Sequence, residues 1–169
     1  SLDAGLSGNY PHLAADGAGG VFLSYMKNIS VDYIYAQHLG ASGERLWGTT
    51  GVAVTLGWDA GHAEIIADGT GGAIIGVDSS GEYYVHGGSD VRVQRIGAAG
   101  TRQWGDLGVA IRTDTLTQRN TRIIADGAGG AYLVWQDNRN EPAYDIYAQR
   151  VSLAGEVQWA AGGIAVSTA

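Results

Sequence analysis

The sequence predicts an all-β protein made of three copies of one four-stranded unit. Three observations carry this. LAADGAGG at Leu13–Gly20 returns as IIADGTGG at Ile65–Gly72 and as IIADGAGG at Ile123–Gly130. The segments between these phrases have strand periods, either two-residue alternation or short apolar runs, and no helical 3.6-residue stripe of any length is visible. The 28 glycines of the 169-residue chain fall at fixed offsets within the repeat, as turn residues do.

In unit one the strands are expected near 11–15, 20–26, 33–39 and 44–55. The first two are joined by Asp16-Gly17-Ala18-Gly19-Gly20, a tight hairpin in which Asp bonds back to nearby amides and Gly supplies positive φ. Val21–Tyr25, with its counterparts Ala73–Val77 and Ala131–Trp135, is short and continuously apolar, which suits a strand buried on both faces. Tyr33–Leu39 and Val91–Ile96 alternate. Asp16, Asp68 and Asp126 are 52 and 58 residues apart. Gln37, Gln94 and Gln149 close the third run of each unit, and Trp47, Trp104 and Trp159 follow ten residues later every time. Gly43, Gly100 and Gly155 mark the turn before each Trp. Only the Asp-to-Gln interval varies, at 21, 26 and 23 residues, so the frame is fixed and one loop is free. The chain reads as one repeat domain, 1–169, with units of about 1–56, 57–114 and 115–169.

Composition narrows the classes. With 45% hydrophobic and 16% charged residues the chain is a folding domain. No Cys is present, which excludes disulfides and thiolate metal sites and leaves the compartment open, an extracellular or cell-surface setting being preferred. No apolar run approaches the roughly 18 residues of a membrane span. SLDAGLSGNY has no basic start or apolar core, and without an initiator Met it reads as the start of a processed or excised chain. A net charge of −7, with nine Arg and one Lys, argues against nucleic acid as a partner.

Three four-stranded units fit a β-propeller, in which each unit is a blade packed face to face on the next, or a closed three-fold monomer such as a β-trefoil or β-prism. Strands apolar on both faces favour blades. DGxGG, the apolar run ending in Trp135 and Asp137-Asn138-Arg139, then DIYAQR, G-x-x-x-W and GVAV resemble bacterial β-propeller-type repeats. The SG-ERLW and AG-TRQW segments are similar to the tryptophan-docking turn of quinoprotein-type propellers, in which a Trp beside a Gly packs between blades. That resemblance implies the fold and says little about activity. Rings have about 4–8 blades, so three blades require association: six as a head-to-tail dimer is expected, nine as a trimer the rival.

The repeated Trp residues read as packing between blades. Each repeated Asp reads as a turn former, because a calcium loop supplies about 6–8 oxygens and here one carboxylate precedes glycines. His12, His38, His62 and His86 show no zinc spacing, so no metal or cofactor is expected. No triad, phosphate loop or paired carboxylates stand out. Candidate ligand contacts are the rim residues Tyr25, Tyr83, Tyr84, Trp135, Asp137 and Arg139, aromatics beside polar groups that suit a glycan or a protein ligand. The leading expectation is therefore a non-catalytic, self-assembling scaffold or binding module. A lectin with pockets in the blades is the alternative, and an enzyme with a central-channel site the least favoured.

Overall fold

The computed structural model describes residues 8–28, 32–56, 61–78, 88–140 and 142–168. Among them there is no helix, and the strands form three four-stranded antiparallel sheets. The first holds β1 (Gly8–Ala15), β2 (Val21–Asn28), β3 (Asp32–Leu39) and β4 (Val52–Ala53) in sequence order. The second repeats it with β5 (His62–Ala67), β6 (Ala73–Asp78), β7 (Val91–Ile96) and β8 (Val109–Arg112). The third has β9 (Gln118–Ala125), β10 (Ala131–Asp137), β11 (Asp145–Val151) and β12 (Ile164–Ser167). Each is a meander whose neighbours in sequence are neighbours in space.

The DG turn closes the first hairpin in all three sheets. Asp16 Oδ1 accepts the amides of Ala18 at 2.7 Å and Gly20 at 2.8 Å. Asp68 does the same for Thr70 and Gly72, and Asp126 for Ala128 and Gly130. Gly17, Gly69 and Gly127 sit at φ of 79°, 75° and 77°, a region that costs little only for glycine.

The fourth strand is shorter than the sequence suggests. Where a strand over 44–55 was expected, β4 pairs only two residues, and a single bridge joins Leu39 to Arg45. The cause is the repeated glutamine. Gln37 Oε1 accepts the N–H groups of His38 and Trp47 at 2.9 Å each, and its Nε2 donates to Gly48 O at 2.8 Å. Gln94 and Gln149 make the same three bonds. A side chain thus satisfies backbone groups that a longer strand would have paired, and the chain turns around it.

Burial shows how the sheets stack. Every residue of β6 is buried, so the middle sheet is covered on both faces, as its apolar run implies. The second strands of the outer sheets alternate instead. In β2 Phe22, Ser24 and Met26 are buried, whereas in β10 it is Ala131, Leu133, Trp135 and Asp137. Counted from each DG aspartate, the two sets are one residue out of phase, and a shift of one in a strand means the opposite face. The first sheet therefore covers one face of the second, and the third covers the other. Phe22, Ile34 and Trp47 form one core with Ile65, Ile75 and Val77. A second core joins Ile74, Val91 and Val93 to Ile123, Leu133 and Trp135. The first strands β1, β5 and β9 lie side by side, β1 against β5 and β5 against β9.

Candidate functional site

Among the described residues, four regions hold chemistry. The first is where the three DG turns meet. Asp16 and Asp68, with glycines and alanines of all three turns, border one cavity of about 380 Å³. The carboxylates face inward to their own turns. Their second oxygens bind the residue after each repeated Gln: His38 at 2.8 Å, Arg95 at 2.8 Å and Arg150 at 2.7 Å. The His38 hydrogen bond, then the turn amides, lower the Asp16 pKa. Burial alone would raise Asp68 and Asp126, but the turn amides and the guanidinium partners outweigh it and leave both below the ordinary value.

The second region is the rim of the third sheet. Trp135 and Asp137 are buried, and the Trp135 indole N–H donates to Asp137 Oδ2 at 2.9 Å. Arg139 pairs with the same carboxylate, donates to Gly162 O at 2.8 Å and lies 3.5 Å over the Tyr147 ring. Burial would raise Asp137, but Arg139 and Trp135 outweigh it and hold its carboxyl low. These three candidate residues come together, and they bond to one another. Tyr25 lies in the first sheet, its hydroxyl donating to Thr50 O at 2.8 Å and its ring stacked on Tyr35. Tyr83 and Tyr84 lie outside the described residues, as do Trp58 and His86. A shallow groove of about 430 Å³ beside Trp135 is lined by Asn120, Arg122, Val134, Gln136 and Ile146.

On the first strands lies a third cluster that spacing along the chain conceals. His12 of β1, Glu64 of β5 and Arg122 of β9 each stand four residues before the DG aspartate of their unit, and His62 is two residues before Glu64 on the same face. The ligand atoms of His12, His62 and Glu64 all lie within 4.8 Å of one another. Arg122 pairs with Glu64 Oε1, and Ile123 N donates to Oε2 at 3.3 Å. Burial, and then the neighbouring His62, lower the His12 pKa; burial and the Arg122 charge lower that of His62. Asp78 is pushed up to about 6 by burial, although Thr121 N donates to it at 3.0 Å.

The fourth region is a pair of open ends. Trp47 Nε1 donates across sheets to Ala98 O at 3.0 Å, and Trp104 Nε1 to Leu153 O at 3.3 Å. Gly100 lies against the Trp47 indole and Gly155 against Trp104, so closely that a Cβ would come within 3.0 Å and 2.8 Å of ring carbon. Both glycines also hold positive φ, 75° and 84°, so the backbone calls for glycine there and the indole contact adds to that demand. Trp159 repeats the position at 36% exposure, held by Tyr132 at 5.7 Å as Trp47 is by Phe22 at 5.3 Å. Gly43, the counterpart of Gly100 and Gly155, has nothing within 4 Å of where its Cβ would be.

Comparisons with family models, curated proteins and solved structures return no match for this chain. Its reading therefore rests on its own geometry.

Proposed function

We propose that this chain is a non-catalytic, self-assembling β-propeller module, whose three blades close a ring with a second copy joined head to tail. The observation that carries the reading is the mismatch between its two ends. Position for position, Ile65 and Ile123 are each 5% exposed, while Leu13 at the same repeat position is 70% exposed. At the other end Trp159, Ile124, Val134 and Val166 lie open on the third sheet. Among the described residues, one end offers an indole and lacks an acceptor; the other offers Gly43 and the Ala41 carbonyl and lacks an indole. The contact made twice inside the chain supplies the template for a third between chains, Trp159 of one copy against Gly43 and Ala41 of the next. Leu13 of that copy would then enter the face bounded by Ile124, Tyr132 and Val134, as Ile123 approaches Gly76 within the chain.

A second copy is the occupant because both halves of the contact belong to this sequence, and because a head-to-tail contact that closes covers both ends of every chain. Two copies give six blades, inside the usual range of about 4–8. The rim loops, free to vary while the frame stays fixed, would then be displayed around the ring as a binding surface. Light scattering tests the reading. A mass twice the 17.5 kDa of the chain is expected, with Trp159→Ala and Leu13→Asp each reducing it to the single-chain value while the circular dichroism spectrum is kept. A threefold mass would mean nine blades, and a stable wild-type monomer would overturn self-assembly.

A further inference from the structure

We propose that His12, His62 and Glu64 form a binding site for a divalent transition metal of the zinc class. Two strands from different sheets converge there, and the site is complete within one chain, so it stands apart from the proposed ring. Tetrahedral ligands 2.0–2.1 Å from zinc are about 3.4 Å apart, so the observed limit of 4.8 Å closes with side-chain movements of roughly an ångström. The imidazoles meet edge to face, with centroids 5.0 Å apart at 82°.

Three features separate this cluster from an ordinary polar contact between strands. Among the described residues no hydrogen bond joins the two imidazoles or ties either to Glu64, so the three groups converge without satisfying one another. His62 Nδ1 is shut off from solvent and has no hydrogen-bond partner. It faces Asp78 Oδ2 at 3.8 Å, so a small closure gives a carboxylate–histidine pair that leaves the lone pair of Nε2 for a metal. Glu64 is oriented from behind by Ile123 N, and Arg122 holds its other oxygen as a cation that an arriving metal would displace or share. Two nitrogen donors and one carboxylate suit zinc, cobalt, nickel or copper rather than calcium or magnesium, which take oxygen. Three protein ligands leave a fourth position for water.

Titration of the untagged, chelator-treated protein with zinc near neutral pH tests the proposal. One equivalent per chain is expected to bind with micromolar or tighter affinity. His12→Ala and Glu64→Gln should each weaken binding by at least about tenfold. Where a variant fails to fold, cobalt loading of the wild-type protein decides, because a four-coordinate nitrogen–oxygen site gives intense visible absorption that zinc then quenches. Absence of saturable binding at millimolar zinc, equal affinity in folded His12→Ala, or a weak octahedral cobalt spectrum would each overturn the site.

Discussion

Asp68 illustrates how much of the frame depends on single side chains. It is buried, yet its two oxygens take the amides of Thr70 and Gly72 and the Arg95 guanidinium. Ionised, it satisfies a turn and a cation together; protonated, it loses the ion pair and holds the turn amides less strongly. Its folded pKa lies below the unfolded one, so the folded state binds fewer protons as pH drops through the acid range. The stability it contributes is then fully present above the unfolded value of 3.8 and is lost as pH falls through the folded value. Asp68→Asn should cost about 2 kcal/mol near neutral pH, the size of a charged hydrogen bond, and progressively less in acid. Urea midpoints measured across that range check it; a cost that does not change with pH would show the charge to be irrelevant. The residue-level turn chemistry was readable from sequence, since Asp-Gly-x-Gly-Gly has few other uses. The pairing of each Asp with His38, Arg95 or Arg150 was not, because those partners lie over twenty residues away on another strand.

At the level of elements, the sequence placed the strands better than their ends. The first three of each sheet fall close to where apolar periodicity puts them, but the fourth contracts because Gln37, Gln94 and Gln149 replace ladder bonds with side-chain bonds. Nothing in a residue pattern announces that an amide will act as a backbone group. Gln94→Leu keeps the volume and orphans Arg95 N–H, Trp104 N–H and Gly105 O. With Gln94 fully buried, the expected loss is on the order of 3 kcal/mol, read as a shift in the denaturation midpoint. A shift near zero would mean that water or a rearranged turn replaces the amide. Elsewhere the apolar runs overstated burial. Val21–Tyr25 and Ala131–Trp135 look as apolar as Ala73–Val77, yet only the last is covered on both faces, because burial is set by position in the stack and not by the run itself.

For the whole molecule, three repeats in sequence became three sheets in contact, and the lateral order of the sheets follows the order of the repeats. The rim residues singled out for ligand contact were chosen by composition alone, and composition cannot distinguish a binding aromatic from Trp135 packed on Tyr147 with its N–H engaged. The His12–His62–Glu64 cluster was hidden for another reason: His12 is fifty residues from His62, and the two meet only because β1 lies beside β5. The signal that could have found it is the repeat itself, since His12 and Glu64 occupy the same position of successive units.

A sheet enclosed on both sides cannot be reached by solvent until something beside it has moved away. For β6 that means the amide protons should be the last in the chain to be replaced by deuterium, surviving until the second sheet parts from the first or the third. Amides of β12, whose four residues are all exposed, should be replaced early. Exchange followed by mass spectrometry should therefore run as a sequence in time, outer sheets first and Ala73–Asp78 at the end, with loss of the middle strand coinciding with global unfolding. Exchange of β6 as fast as that of β12 would mean that the three sheets do not hold one another closed.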